Sequence, residues 1–265
     1  MKRLEEIFKK IGVEDPQRKL ILLEKYMEQV MVKNKTLNLT GIKDKDEFVL
    51  KHYIDSFLIV TTEEFKNAKT IVDVGTGGGF PGIPLAIIAP EKEFLLVDSL
   101  MKRLDTVAYV AGKYGISNAR FLHGRAEEIA KDFRFRENFD LCVSRAVAPM
   151  PTLSELCIPF VKIGGSFIAY KTLSASQEIE DAQKAIMMMG GILDRVESDF
   201  EFGTELTHSL VVIKKDRKTP IKYPRKPGTP TRKPLLKKDV PRGTLQEQVD
   251  KLKNRGGGGS QKSGS

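Results

Sequence analysis

The chain has 265 residues, a formal charge of +9 and only two cysteines. That length permits one large domain or two small ones with a core that needs no disulfide staples, and the cysteine count, with no signal-like segment, points to the cytoplasm. Apolar stretches such as Ile83 to Ala89 are far too short to span a bilayer, and three scattered histidines with two separated cysteines offer no metal-ligand spacing, so no metal is expected.

Residues 1–67 show helical periodicity and no strand pattern, and are expected to form an amino-terminal helical cap. Leu4, Ile7, Phe8 and Ile11 make a first apolar stripe, closed by Gly12. Asp15 before Pro16 has the form of a helix start, since the carboxylate can cap free amides and proline needs no partner. Leu20, Leu23, Tyr26, Met27, Val30 and Met31 then line one face. After the Asn38-Leu39-Thr40-Gly41 turn, Asp46 is expected to open a third helix carrying Phe48, Val49, His52, Tyr53, Ser56 and Phe57.

From Thr70 apolar strands alternate with amphipathic helices, which implies parallel strands joined by right-handed crossovers. Strands are expected at 70–74, 94–98, 119–123, 139–143, 166–170, 192–200 and 208–214, with helices between the first six. Only Phe202-Gly203-Thr204-Glu205 separates the last two, so an antiparallel hairpin should close one end of the sheet. Residues 68–215 thus read as an α/β domain with a Rossmann-like seven-stranded sheet, the last strand antiparallel, as in class I methyltransferases rather than dehydrogenases.

Charge is concentrated beyond this domain. Residues 214–242 hold twelve Lys or Arg against two Asp, residues 243–265 add a net +2, and residues 1–213 therefore carry −3. The proline-rich basic extension at 216–242 has no apolar period and is expected to be extended and mobile, attracting polyanions with a salt-sensitive affinity. Residues 243–265 read as a flexible tail, with room for a short helix at Thr244 to Arg255 before a glycine-rich linker.

The chemistry centres on Asp73-Val74-Gly75-Thr76-Gly77-Gly78-Gly79-Phe80-Pro81-Gly82. Gly75 and Gly77 let the chain turn sharply from strand to helix and let a ligand approach the main chain. A dinucleotide fingerprint would need a third glycine where Phe80 stands, and Asp73 would repel a pyrophosphate but hold an amino group, directly or through a water. Asp98, 23 residues after Gly75 at the end of Phe94-Leu95-Leu96-Val97, is placed to accept both hydroxyls of a ribose. Together the two carboxylates favour S-adenosylmethionine as cofactor.

Further segments occur in order: Asn38-Leu39-Thr40, Lys51-His52-Tyr53-Ile54-Asp55-Ser56, Val72 through Pro84, Asp98-Ser99-Leu100 with Lys102-Arg103, Gly124-Arg125-Ala126-Glu127-Glu128, Ser144-Arg145-Ala146-Val147-Ala148, and Tyr223-Pro224-Arg225-Lys226-Pro227-Gly228-Thr229-Pro230. Jointly, over about residues 1–236, they resemble the ribosomal RNA small subunit methyltransferase G family. The resemblance implies methylation of ring nitrogen 7 of one guanine in bacterial 16S rRNA, with the rRNA or the small ribosomal subunit as partner of a cytoplasmic monomer. It also implies cofactor contacts at Gly75, Phe80, Ala126, Glu127 and Arg145, with Asp98 at the ribose. Lys171-Thr172 departs from the Lys-Gly of many members, which leaves the shape of the substrate-side loop open.

Ring nitrogen 7 carries an in-plane lone pair and attacks a methyl group without first losing a proton, so alignment and desolvation suffice and no general base is expected. Ser144-Arg145-Ala146-Val147 indeed stands where exocyclic-amine methyltransferases carry Asn/Asp-Pro-Pro-aromatic. A cytosine carbon-5 enzyme would need a thiolate, usually beside a proline, and neither Cys142 nor Cys157 has an adjacent one. Arg145, at the carboxyl end of the fourth strand, can reach cofactor, guanine edge or phosphate, or can instead bridge to Glu127 and hold the loops. Lys171, ending the fifth strand, is a second candidate for positioning RNA, against a plain solvent-facing lysine. His52 reads as a structural hydrogen-bonding residue near Asp55 and Ser56, and His123 lies close to the chemistry with no proton to move. The competing reading is a class I methyltransferase acting on a small molecule or a protein.

Overall fold

Leu4, Ile7 and Phe8 bury one stripe of α1 (Lys2–Ile11), which ends where Gly12 turns left-handed. The computed structural model, which describes residues 1–200 and 208–236, continues with α2 (Pro16–Leu37) and its buried Leu20, Leu23, Tyr26, Met27 and Val30. Asp15 sits before Pro16 as expected, but its side chain caps nothing; proline alone starts the helix. The next cap is Asp44 rather than Asp46: its carboxylate accepts the Glu47 amide, which places Asp46 inside the first turn of α3 (Lys45–Phe48). The expected third helix is not uniform. It widens to π geometry over Val49–Ile54 and tightens to 3-10 over Phe57–Thr61 before α4 (Glu63–Asn67). Such widened turns often mark functional sites, and this one carries His52 and ends on Asp55.

The strands are β1 (Thr70–Val74), β2 (Glu93–Asp98), β3 (Ala119–His123), β4 (Phe139–Arg145), β5 (Val161–Thr172), β6 (Gly191–Glu197) and β7 (His208–Lys215). They form one sheet in the order β3-β2-β1-β4-β5-β7-β6. Pairings from β3 through β5 are parallel, and β7 runs antiparallel to both neighbours. This is the class I methyltransferase arrangement anticipated from the strand pattern. Strand ends differ by a few residues: β4 continues to Arg145, β5 begins five residues early, and β6 stops at Glu197 instead of 200. The hairpin residues Phe202 to Glu205 lie outside the described residues.

Alternation along the strands builds two cores. Ile71, Leu96, Leu141, Val143, Ile168, Leu210 and Val212 face α1, α2, α5 (Gly82–Ile88) and α6 (Met101–Lys113). Residues one step away, such as Val72, Val97, Cys142, Phe167 and Val211, face α8 (Met150–Cys157), α9 (Ser176–Asp181) and α10 (Gln183–Met188), beyond the short α7 (Ala126–Ile129). The amino-terminal helices therefore share one core with the sheet. No helix among the described residues is long and apolar enough to cross a membrane.

The basic segment beyond β7 departs most from expectation. Through residue 236 it is a strap fastened to the body, not a mobile extension. Arg136 donates to the carbonyls of Thr219 at 2.7 Å and Tyr223 at 2.9 Å, and the Thr219 amide donates to Glu137 at 2.6 Å. Arg225 grips Glu155, a fully buried carboxylate, through its Nε and Nη2. Thr152 donates to the Pro230 carbonyl at 3.1 Å beside the last short helix, α11 (Thr229–Arg232). Backbone carbonyls and a few buried anchors hold the strap, which is why a search for apolar period passes over it. The suggested helix at Thr244 to Arg255 and the rest of the tail lie outside the described residues.

Candidate active site

β2, β1 and β4 lie side by side, and the chain order reverses at β1, the switch point where open α/β sheets bind ligands beyond their carboxyl ends. A pocket of about 360 Å³ opens there, walled by Gly75, Gly77, Phe80, Asp98, Ala126, Glu127 and Arg145 among others. At two of its glycines the loop leaves no room for a side chain. At Gly75 (φ 76°) a β-carbon would stand 2.3 Å from Val147, and at Gly79 (φ 89°) it would stand 2.3 Å from the Tyr26 hydroxyl. Tyr26 in turn donates to the Gly78 carbonyl at 2.8 Å, so α2 pins the loop from behind.

The two expected carboxylates are differently placed. Asp98 lines the pocket and accepts the Gly77 amide on Oδ2 and the Leu100 amide on Oδ1, both at 2.8 Å, so it fastens the first two loops together. Asp73 is fully buried, behind the wall rather than in it. Its Oδ2 accepts the Thr76 hydroxyl at 2.7 Å and the Gly82 amide at 2.8 Å, while Oδ1 is without a partner. Burial pushes its pKa up to about 6 against those two hydrogen bonds. Glu127, also buried, turns Oε1 to the Gly228 amide at 2.8 Å, so the strap braces the opposite wall.

Arg145 does not bridge to Glu127, the alternative its sequence position left open. It pairs instead with Asp55 and donates to the Lys51 carbonyl at 3.1 Å. Its guanidinium lies 5.8 Å from the Phe80 ring and 6.0 Å from Tyr170. Asp55 spends its other oxygen on His208 Nδ1 at 2.7 Å. Burial alone would raise the Asp55 carboxyl, but the hydrogen bond from His208 and the charge of Arg145 outweigh it and hold the pKa below the ordinary value. His52 stacks flat on Phe80 with centroids 4.2 Å apart, and its Nε2 meets Thr40 Oγ1 at 2.6 Å. Burial and the neighbouring Arg145 lower its pKa to about 3, so it is a neutral wall of the pocket.

A family model described as rRNA small subunit methyltransferase G matches residues 19–203. The chain belongs to that family. It is 47% identical to the ribosomal RNA small subunit methyltransferase G of Clostridium novyi, over 77% of this chain and 84% of that protein. It is 44% identical to the protein of the same name from Bacillus cytotoxicus, over 85% of this chain and 95% of that one. Among solved structures, StiE O-MT is similar with a TM-score of 0.52 at 14% identity, covering 72% of this chain and 83% of that chain. The cofactor-bound Rv0187 from MTB gives 0.51 at 13% identity over 72% and 90%. At such identities these two speak for the fold alone. The family is one of ribosomal RNA methyltransferases.

The remaining candidate residues lie outside the pocket wall. Lys171 pairs with Glu178 and donates to the Ala148 carbonyl at 2.9 Å, so its ammonium ties β5 to the turn after β4 and is not in the pocket wall. Thr172 is exposed beside Ser174. His123 is exposed, with Nε2 3.2 Å from the Ser99 carbonyl. Cys142 and Cys157 are free thiols buried in the second core, away from the pocket, and burial pushes the Cys142 thiol up. Sequence reasoning passed over Asp55, Thr40, Tyr26, His208 and Gly228 as site-holding residues. Asp55 and Thr40 sat inside quoted motifs, whereas His208 reaches Asp55 across 153 residues with no local signal.

Proposed function

We propose that this methyltransferase transfers the methyl group of S-adenosylmethionine to ring nitrogen 7 of one guanine in bacterial 16S rRNA. The observation that carries this reading is that the pocket wall's histidine and carboxylates already hold partners: His52 is neutral and bonded to Thr40, Asp98 holds two amides and Glu127 the Gly228 amide, while Arg145 is paired with Asp55. Ring nitrogen 7 needs no proton removed, so such a wall suits it, whereas an exocyclic amine or a hydroxyl would call for an acceptor.

The residues fit the cofactor. Asp73 Oδ1, buried without a partner, is the acceptor for an ammonium group, reached directly or through one water. Asp98 keeps free lone pairs toward the pocket for two ribose hydroxyls. Gly75 and Gly77 let the ligand lie against the main chain, and Ala126 and Glu127 wall its other side. When bound, the cofactor supplies an electrophilic methyl on a sulfonium. Phe80, stacked on His52, keeps water from that region, and Arg145, fixed by Asp55, presents its guanidinium toward the carbonyl oxygen of the guanine. These residues orient and desolvate; none moves a proton.

The deciding experiment incubates the protein with labelled S-adenosylmethionine and small-subunit rRNA from a strain lacking the modification, then maps the product. Label at ring nitrogen 7 of a single guanine is expected. Label only on cytosine or adenine overturns the proposal. Asp98→Ala should abolish both cofactor binding and transfer while the circular dichroism spectrum stays that of the parent.

A further inference from the structure

A second concavity, about 920 Å³, lies between the carboxyl half of α2 and the loop that leads into α3. Met31, Val32 and Ile42 contribute apolar surface, and Lys35, Lys43 and Lys45 contribute charge. All three lysines are exposed, and none has an ion-pair partner among the described residues; Glu28 is the one carboxylate in the lining. This is unusual in a body whose first 213 residues carry a net −3. The loop is not slack. Asn34 clamps Thr40 through both main-chain groups, at 2.7 and 2.9 Å, and the Leu39 carbonyl lies so near Gly78 that a β-carbon there would meet it at 3.1 Å.

Its position gives the groove its meaning. Thr40 lines the groove, and its hydroxyl meets His52, which stacks on Phe80 in the wall of the cofactor pocket. One hydrogen-bonded pair of side chains therefore separates the two concavities. We infer that this groove is the seat of the RNA strand next to the methylated base, with Lys35, Lys43 and Lys45 on its phosphates and the Met31, Val32 and Ile42 surface under a ribose or base. The inference rests on the proposed RNA substrate and deepens it: it puts the charge that grips the strand beside the base on the amino-terminal helical layer, whereas the strap's Arg225 is consumed by Glu155 and Lys215, at the end of β7, by Glu137. An unpaired single strand suits a groove with an apolar floor, since its bases are free to stack on it.

The test compares the full chain with Lys35→Ala/Lys43→Ala/Lys45→Ala and with Lys66→Ala/Lys69→Ala/Lys162→Ala, an equal charge change at the amino-terminal ends of β1 and β5, away from the pocket at the strands' carboxyl ends. Binding to a labelled single-stranded fragment of the rRNA is titrated over a salt series, and cofactor affinity is measured by calorimetry. The groove variant should bind RNA roughly tenfold or more weakly at about 0.1 M salt, with its salt slope reduced by about two, while cofactor affinity stays at the parent value. The control should lose no more than about twofold. Equal losses in the two variants, or unchanged RNA affinity and slope in the groove variant, overturn the inference. So does a groove variant that binds naked RNA normally and fails only on assembled subunits, which would make the groove a seat for a ribosomal protein. If the parent itself neither binds nor methylates RNA, the functional reading has failed instead, and the two failures are told apart by that first titration.

Discussion

The amino-terminal helical layer and the strap at 216–236 flank the same pocket and are attached by opposite means. At the amino-terminal side, Phe48, Tyr53, Phe57 and their neighbours are buried in one continuous apolar core with the sheet, and from that platform His52 and Asp55 reach Phe80 and Arg145. At the carboxyl-terminal side, the strap is held by Arg136 on backbone carbonyls, by Arg225 on Glu155, and by the Gly228 amide on Glu127. The first is a non-directional attachment that tolerates small shifts. The second is directional, and each lost partner leaves a buried polar group exposed to its full desolvation penalty. A class I sheet thus recruits its outer wall by burial on one side and by hydrogen bonding on the other.

The sharpest test of this contrast is truncation. Removing residues 216–265 strips the partners from fully buried Glu155 and from Glu127, with an expected cost on the order of 3–5 kcal/mol in urea unfolding. Cofactor affinity in calorimetry should fall by tenfold or more, while removing only 237–265 should change neither quantity. A longer truncation that kept full cofactor affinity would reduce the strap to a decoration. The next largest effect is Asp55→Ala, which leaves buried Arg145 without its carboxylate and should cost about 3 kcal/mol at pH 7. Because the Asp55 carboxyl is held below its ordinary value, that stabilisation is complete above the unfolded pKa of about 4. It fades as the pH falls through the lower, folded value. Unfolding midpoints of parent and variant should therefore converge in strong acid, and a constant gap would mean that the charge pair is not the cause.

Asp73→Asn should act with the opposite sign. The parent carboxyl titrates near 6 in the folded state, so the parent loses stability between about pH 4 and 6, where its unfolded chain has already ionised. At pH 8 the amide should stabilise the free protein by about 1–2 kcal/mol while weakening cofactor binding, a trade that thermal unfolding with and without cofactor reads directly. An unchanged cofactor affinity would remove Asp73 from the site. Smallest is Lys171→Ala, expected to cost less than about 1 kcal/mol and to slow methyl transfer slightly, since the lysine anchors the turn after β4. Its RNA salt slope should match the parent; a reduced slope would restore Lys171 as a phosphate contact.

How much of this was legible depended on which forces carry the information. Strand and helix order was readable because apolar alternation is local and repeats along the chain, and all seven strands form near their expected positions. The glycine loop and Asp98 were readable because their constraint is local too: a tight turn at Gly75 and a carboxylate ending the next strand. Asp73 was half readable, since its buried, partnerless oxygen is a product of packing. The ordered strap was missed because Arg136, Glu137, Glu155 and Glu127 hold it from far upstream, through main-chain groups that every residue carries.

By itself, then, the order of residues determined the sheet, the glycine-rich turn and the family to which the chain belongs, since the first two follow from spacing within a few dozen positions and the third from motifs in their order along the chain. Only the tertiary structure decided that Arg145 answers to Asp55 and not Glu127, that Lys171 answers to Glu178, and that a basic tail becomes a wall. Those choices turn on which charges meet in a dry interior, where a partner's identity is set by three-dimensional distance and desolvation rather than by position in the sequence.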